Sequence, residues 1–178
     1  VEDGVRRIIV GVDGSVGSLR ALRRGVAEAR LTGATVYGVL AWMPPGGEAI
    51  DRRAPSPHLR RYWERSAWEQ LQHAWEEAFG GFPSDVDVRL LVARGNPGRV
   101  LVGLADKETD LLVIGAGSRN VFRRAVTASV SRYCTARAGC AVLAVPPSPL
   151  ARKLDGGLML RGIRRRRAVD ELVSHSEV

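Results

Sequence analysis

Five short runs of apolar, largely β-branched residues recur along the chain: RIIVGV at 7–12, ATVYGVLAW at 34–42, VDVRLLV at 86–92, LLVI at 111–114 and AVLAV at 141–145. Several are apolar at consecutive positions rather than alternate ones, the pattern of strands buried on both faces. Each pair of runs is separated by enough chain for a helical crossover. Alternation of this kind implies right-handed βαβ units and a doubly wound parallel sheet, an α/β fold of three layers.

The intervening segments support that reading. Leu19, Leu22, Val26 and Ala29 recur at spacings of three and four, predicting an amphipathic helix over 18–30 that Gly33 closes. A second helix is predicted over 59–79, with Trp68, Leu71, Trp75 and Phe79 as a core stripe and His73 beside it, lacking a ligand partner one turn on. Gly95, Asn96 and Pro97 turn the chain into a third helix, with Val100, Leu101 and Leu104 facing inward. Residues 127–137 form a predicted fourth helix, and Pro146 and Pro147 end the last strand. The segment PPGGEAIDRRAPSPH at 44–58 is rich in proline, glycine and charge and reads as a mobile surface loop.

With 178 residues, 45% of them hydrophobic, the chain can bury one sizeable core. The expected organisation is a single domain, 5–147, followed by a basic tail, 148–178. Much of the net charge of +8 lies in ARKLDGGLMLRGIRRRR at 151–167. Such a tail can bind phosphate backbones through counterion release, but no RRM aromatics, zinc-finger spacing or helix-turn-helix pattern accompanies it. The expectation is a solvated tail rather than one bound to nucleic acid or an anionic surface. A short helix near 165–173 and disorder both remain open for it. There is no run of 18 apolar residues, and a charged start leads directly into a strand, so a cytoplasmic protein with no membrane span is expected. Cys134 and Cys140 match no zinc or CxxC spacing and are expected to pack as reduced thiols.

One stretch points to a ligand. Residues 110–145 read as strand, Gly/Ser/Asn-rich turn, hydroxyl cluster opening a helix, and strand. That order sets free backbone N–H groups and the positive end of a helix dipole where a phosphate can sit. In doubly wound sheets, ligands bind beyond the carboxyl ends of the strands, where strand order reverses. If the first strand is central and the fourth its neighbour, the loop at 11–15 meets the loop at 115–129. Asp13 would then offer its carboxylate over the crevice; the plainer alternative is a turn or N-cap residue. Competing nucleotide motifs fail. After Gly115 and Gly117 the third GxGxxG position is Asn120, with no acidic residue near 135, and GVDGSVGS at 11–18 lacks the P-loop lysine. Ser15, Ser129 and Ser131 have no histidine in either loop, so hydrolysis is not assigned.

IIVGVDGS at 8–15, VLAW at 39–42, RGNP at 94–97, DLLVIG at 110–115, SVS at 129–131 and CAVLAVP at 140–146 occur in that order. In this combination the chain resembles the universal stress protein family over residues 5–147. The resemblance implies a five-stranded sheet of order 3-2-1-4-5, of the adenine-nucleotide alpha-hydrolase-like, Rossmann-like class. It also implies a homodimer formed through the edge strand Ala141 to Val145 and, in one branch, an ATP site marked G-x2-G-x9-G-[ST]. Here Gly115 matches the first glycine and Ser129 the final hydroxyl residue, while Ser118 and Ala128 replace the other two glycines. Each replacement adds a Cβ where phosphate approaches backbone, unless Gly117 takes over the turn at 118. By resemblance, Gly11, Val12 and Asp13 flank the adenosine, Ala41 contacts adenine, Ile114 and Gly115 form the opposite wall, and Ser129 and Val130 donate to phosphates. Arg119, Arg123 and Arg124 either restore the positive charge or are solvated loop residues. The function implied is a non-catalytic, ATP-binding stress-response module. The alternative is a dimeric interaction protein of the same fold that binds no nucleotide, with a slow ATPase third.

Overall fold

A computed structural model describes residues 4–116 and 130–146. The elements run β1 (Arg7–Gly11), α1 (Val16–Thr32), β2 (Thr35–Trp42), α2 (Glu48–Arg53), α3 (Pro57–Phe79), β3 (Val88–Arg94), α4 (Pro97–Leu104), β4 (Asp110–Gly115) and β5 (Ala141–Val145). Residues 130–137, just before β5, are helical. The strands form one parallel sheet of order β3-β2-β1-β4-β5. This is the predicted α/β class and order, and the reversal falls between β1 and β4.

Successive β1 side chains enter opposite layers, which is why the run is apolar at every position. Ile8 and Val10 pack with Leu19, Leu22 and Val26 of α1 and with Leu71 and Trp75 of α3. Ile9 packs on the other face with Leu101 of α4, Leu112 of β4 and Cys134. Ser15 caps α1, its Oγ accepting the Ser18 N–H at 3.2 Å, and Gly33 ends the helix in the left-handed region, φ +69°.

Three expectations need correction. The predicted mobile loop at 44–58 contains α2, and α3 begins within it at Pro57, with Ser56 as its cap. Asp51 of α2 is buried and accepts from Arg60 at 2.9 Å and from Arg94 at 2.7 Å, so long-range ion pairs hold a segment whose composition suggests none. β3 is shifted two residues toward the carboxyl end, because its register against β2 runs from Val36↔Val88 to Trp42↔Arg94. Trp68 is exposed at the margin of the predicted α3 stripe; Leu71 and Trp75 are fully buried, and Trp75 stacks on Phe79 at 5.5 Å. The amino-terminal part of the predicted helix 127–137, and the tail with its predicted helix near 165–173, lie outside the described residues.

The amino end of the sheet is sealed. Arg7 donates through Nε and Nη2 to the two carboxylate oxygens of Asp110, at 2.8 and 2.6 Å, and through Nη2 to Asp106 at 2.7 Å. Among the described residues, no helix is long and apolar enough to cross a membrane.

Candidate functional site

At the carboxyl end, the site begins where β1 stops. The Val12 N–H donates to the Val39 oxygen at 2.8 Å, carrying the ladder one residue past Gly11 before the chain turns away. Asp13 Oδ1 then accepts the Ser15 N–H at 3.0 Å, and Gly14 takes φ +71°, a conformation that favours glycine. Asp13 is therefore a turn residue, as the plainer reading has it. Its second carboxylate oxygen has no partner among the described residues, so the carboxylate also remains available as an acceptor.

The opposing wall is the end of β4. A Cβ at Gly115 would lie 2.7 Å from the Gly17 carbonyl carbon and 3.1 Å from the Ser18 nitrogen. The first glycine of the expected nucleotide motif thus has a packing reason of its own: the strand passes the first turn of α1 too closely for a side chain. Ser131 Oγ donates to the Gly115 oxygen at 3.2 Å, and the Ala116 N–H donates to Val145, tying this wall to the next helix and strand.

Between the walls is a crevice of about 120 Å³. Its walls are the apolar side chains of Val39, Ala41, Leu101, Ile114 and Val130 together with Pro97, and its polar edge is Asp13, Ser15 and Ser18. This is the topological switch point of a doubly wound sheet, the usual place for a ligand in such folds.

Residues 4–146, most of the chain, match the family model of the universal stress protein family. The chain belongs to that family.

Several solved structures align over most of their length. One, crystallised in complex with cAMP, is 27% identical, with 82% of this chain and 99% of that chain covered and a TM-score of 0.51. The hypothetical protein MJ0577 superposes with a TM-score of 0.64 at 16% identity, covering 81% of this chain and 97% of its own. UspA from Lactobacillus plantarum gives a TM-score of 0.55 at 19% identity, covering 80% and 98%. The last two establish the fold alone.

Within this universal stress protein, the structure brings Gly11, Val12, Asp13, Ala41, Ile114, Gly115 and Val130 to one crevice, while Ser118, Ala128 and Ser129 lie outside the described residues. Ser15, which the sequence places in the ligand loop at 11–15, also lines it, whereas sequence reasoning missed Ser18, Val39, Pro97 and Leu101. Two signals were present. Val39 precedes Ala41 by one strand repeat and shares its face. Pro97 and Leu101 are one helical turn apart on the helix that the RGNP turn begins.

The described hydroxyls are partly committed within the protein, since Ser18 Oγ donates to the Ser15 oxygen at 2.9 Å. Among the described residues no histidine lines the crevice, and no group of His, Cys, Asp and Glu is placed to hold a metal. Burial pushes the Cys134 thiol up to about 11, with the charge of Cys140 adding to the effect, so Cys134 is a packing residue and not a nucleophile at neutral pH.

A second groove runs along the α3 side of the same carboxyl end. Trp42, Met43 and Pro45 form one bank and Trp63, Ser66 and Gln70 the other, and it shares Asp13 and Ala41 with the crevice. The α2 ion pairs lie beside it: Arg94 is held by Glu48 and Asp51 and places its guanidinium 5.8 Å from the Trp42 ring centre.

Proposed function

We propose that this universal stress protein is a non-catalytic regulatory module that binds an adenine nucleotide between the loops following β1 and β4. The observation that carries the reading is an apolar slot at the sheet's switch point, bordered by an aspartate with one carboxylate oxygen that has no partner among the described residues. The apolar side chains of Val39, Ala41, Ile114 and Val130 would face a planar base. The open oxygen of Asp13 matches a hydroxyl or amino donor of the nucleoside. The cAMP complex of the 27% identical relative supports the same ligand class. ATP is the ligand implied by the family pattern, with Ser129 and Val130 as the donors to its phosphates and Ser118 and Ala128 standing at glycine positions of the motif.

The same proposal takes residues 5–147 as the working module, 148–178 as a separate basic tail, and the cytoplasm as its setting in a stress response. It includes a homodimer. Among the described residues β5 pairs only with β4, and an open strand edge of this kind is a template for pairing. Sedimentation showing a monomer at micromolar concentration contradicts that part.

Calorimetric titration with ATP, AMP and cAMP, on the unaltered protein and on Asp13→Ala, tests the site. At least one nucleotide is expected to bind, and Asp13→Ala to weaken it at least about tenfold, or roughly 1.4 kcal/mol. No heat with any of the three, in a protein that still sediments as a dimer, replaces this reading with a nucleotide-free interaction protein.

A further inference from the structure

The Asp13 turn is held from a distant part of the chain. The Gln70 side-chain amide donates to the Asp13 main-chain oxygen at 3.0 Å, across 57 residues of sequence. The same nitrogen stands 2.8 Å from where a Cβ on Gly14 would be, so Gln70 packs directly against the turn that it bonds. Two hydrogen bonds therefore set this aspartate. The Ser15 N–H fixes one carboxylate oxygen, and Gln70 fixes the carbonyl. The remaining carboxylate oxygen is aimed by what these two bonds leave free. Gln70 also borders the groove of Trp42 and Trp63 and is absent from the lining of the nucleotide crevice.

We propose that Gln70 is a positioning residue for nucleotide binding: from α3 it anchors the Asp13 main chain and so orients the carboxylate that meets the nucleoside. The proposal rests on the adenine-nucleotide reading above. Gln70 itself is exposed, and a side chain so placed contributes little to global stability. Its effect falls on the geometry of one turn.

Four proteins test this: the unaltered chain, Gln70→Ala, Asp13→Ala and the double variant, each titrated with AMP. Loss of one hydrogen bond's worth of orientation predicts an AMP affinity about three- to tenfold weaker in Gln70→Ala. Gln70→Glu behaves alike, because a carboxylate cannot donate to a carbonyl. The melting temperature stays within about 2 °C. If Gln70 works through Asp13, adding Gln70→Ala to Asp13→Ala costs no further affinity. Without ligand, hydrogen exchange at the Ser15 amide is severalfold faster in Gln70→Ala.

Unchanged affinity in Gln70→Ala, or a full additional loss on top of Asp13→Ala, overturns the proposal. If the unaltered protein binds no adenine nucleotide, the functional reading fails first and separately. Exchange at Ser15 then still decides whether Gln70 holds the turn, and an unchanged rate removes that role too.

Discussion

The two ends of the sheet each carry an aspartate against a strand, and the protein treats the two in opposite ways. Asp110 opens β4 at the amino end, is 1% exposed, and accepts two hydrogen bonds from Arg7 and one from the Lys107 N–H. Asp13 follows β1 at the carboxyl end, is exposed, and has one carboxylate oxygen bonded, to its own turn. A buried carboxylate that already accepts three hydrogen bonds from within the protein is closed to a ligand by its burial. One at the edge of an apolar slot, with an oxygen that has no partner among the described residues, is not. The same residue type is structural at one end and, among the described residues, available at the other, and the direction of parallel strands decides which: at the carboxyl end the chain leaves β1 for the first turn of α1, beside the described crevice.

The sharpest way to break this contrast is to remove the structural member. Asp110→Ala leaves the Arg7 guanidinium, whose side chain is 28% exposed, without its bidentate partner. A loss of about 2–4 kcal/mol is expected from urea unfolding, with nucleotide affinity per folded molecule unchanged. Weakened nucleotide binding at full folding would mean that the two ends are not independent.

Gly115→Ala probes the junction between wall and helix. Its Cβ would meet the backbone of Gly17 and Ser18, which has no flexible end to move aside. A destabilisation of about 1–3 kcal/mol is expected in thermal unfolding, accompanied by weaker nucleotide binding as the wall shifts. An unchanged melting temperature would show that the start of α1 yields freely.

Acid gives the smallest effect. The Arg7 hydrogen bond holds the Asp106 carboxyl below its ordinary range, and Arg60, followed by Arg94, does the same to Asp51. A lowered folded value means stability that is complete above the unfolded value, near about pH 4, and is lost as pH falls through the lowered one. Unfolding measured from pH 7 down to pH 2 is expected to stay level until about pH 4 and then to weaken. Asp51→Asn should remove part of that fall while leaving the Arg7 end unaffected. An identical profile would show that the α2 clamp contributes nothing to it.

How far these regions could be read from sequence follows from the range of the forces that hold them. Runs such as RIIVGV declare themselves because a strand buried on both faces must be apolar at each position, and β5 appears over the range expected, Ala141–Val145. α2 does not, since nothing within PPGGEAIDRRAPSPH is periodic; it is held by Arg60 and Arg94, 9 and 43 residues from Asp51. β3 slipped by two residues because VDVRLLVAR offers apolar positions on either register, and pairing with β2 makes the choice. At the site, Asp13 and Gly115 stand out locally as a carboxylate and a glycine at strand ends. Pro97, Leu101 and Gln70 become visible only once the crossovers bring α4 and α3 over the same end of the sheet. Gly115 also carried a second meaning, packing against α1, that its place in a nucleotide motif concealed.

The most direct test of the contrast between the two ends is amide chemical-shift mapping of the labelled protein titrated with AMP. Shifts concentrated at residues 11–15, 39–41 and 114–116, with residues 7 and 106–110 unmoved and the same pattern in Asp13→Ala reached only at about tenfold more AMP or above, are the predicted result. Saturable shifts centred on the Arg7 and Asp110 end, or on neither end, would contradict it.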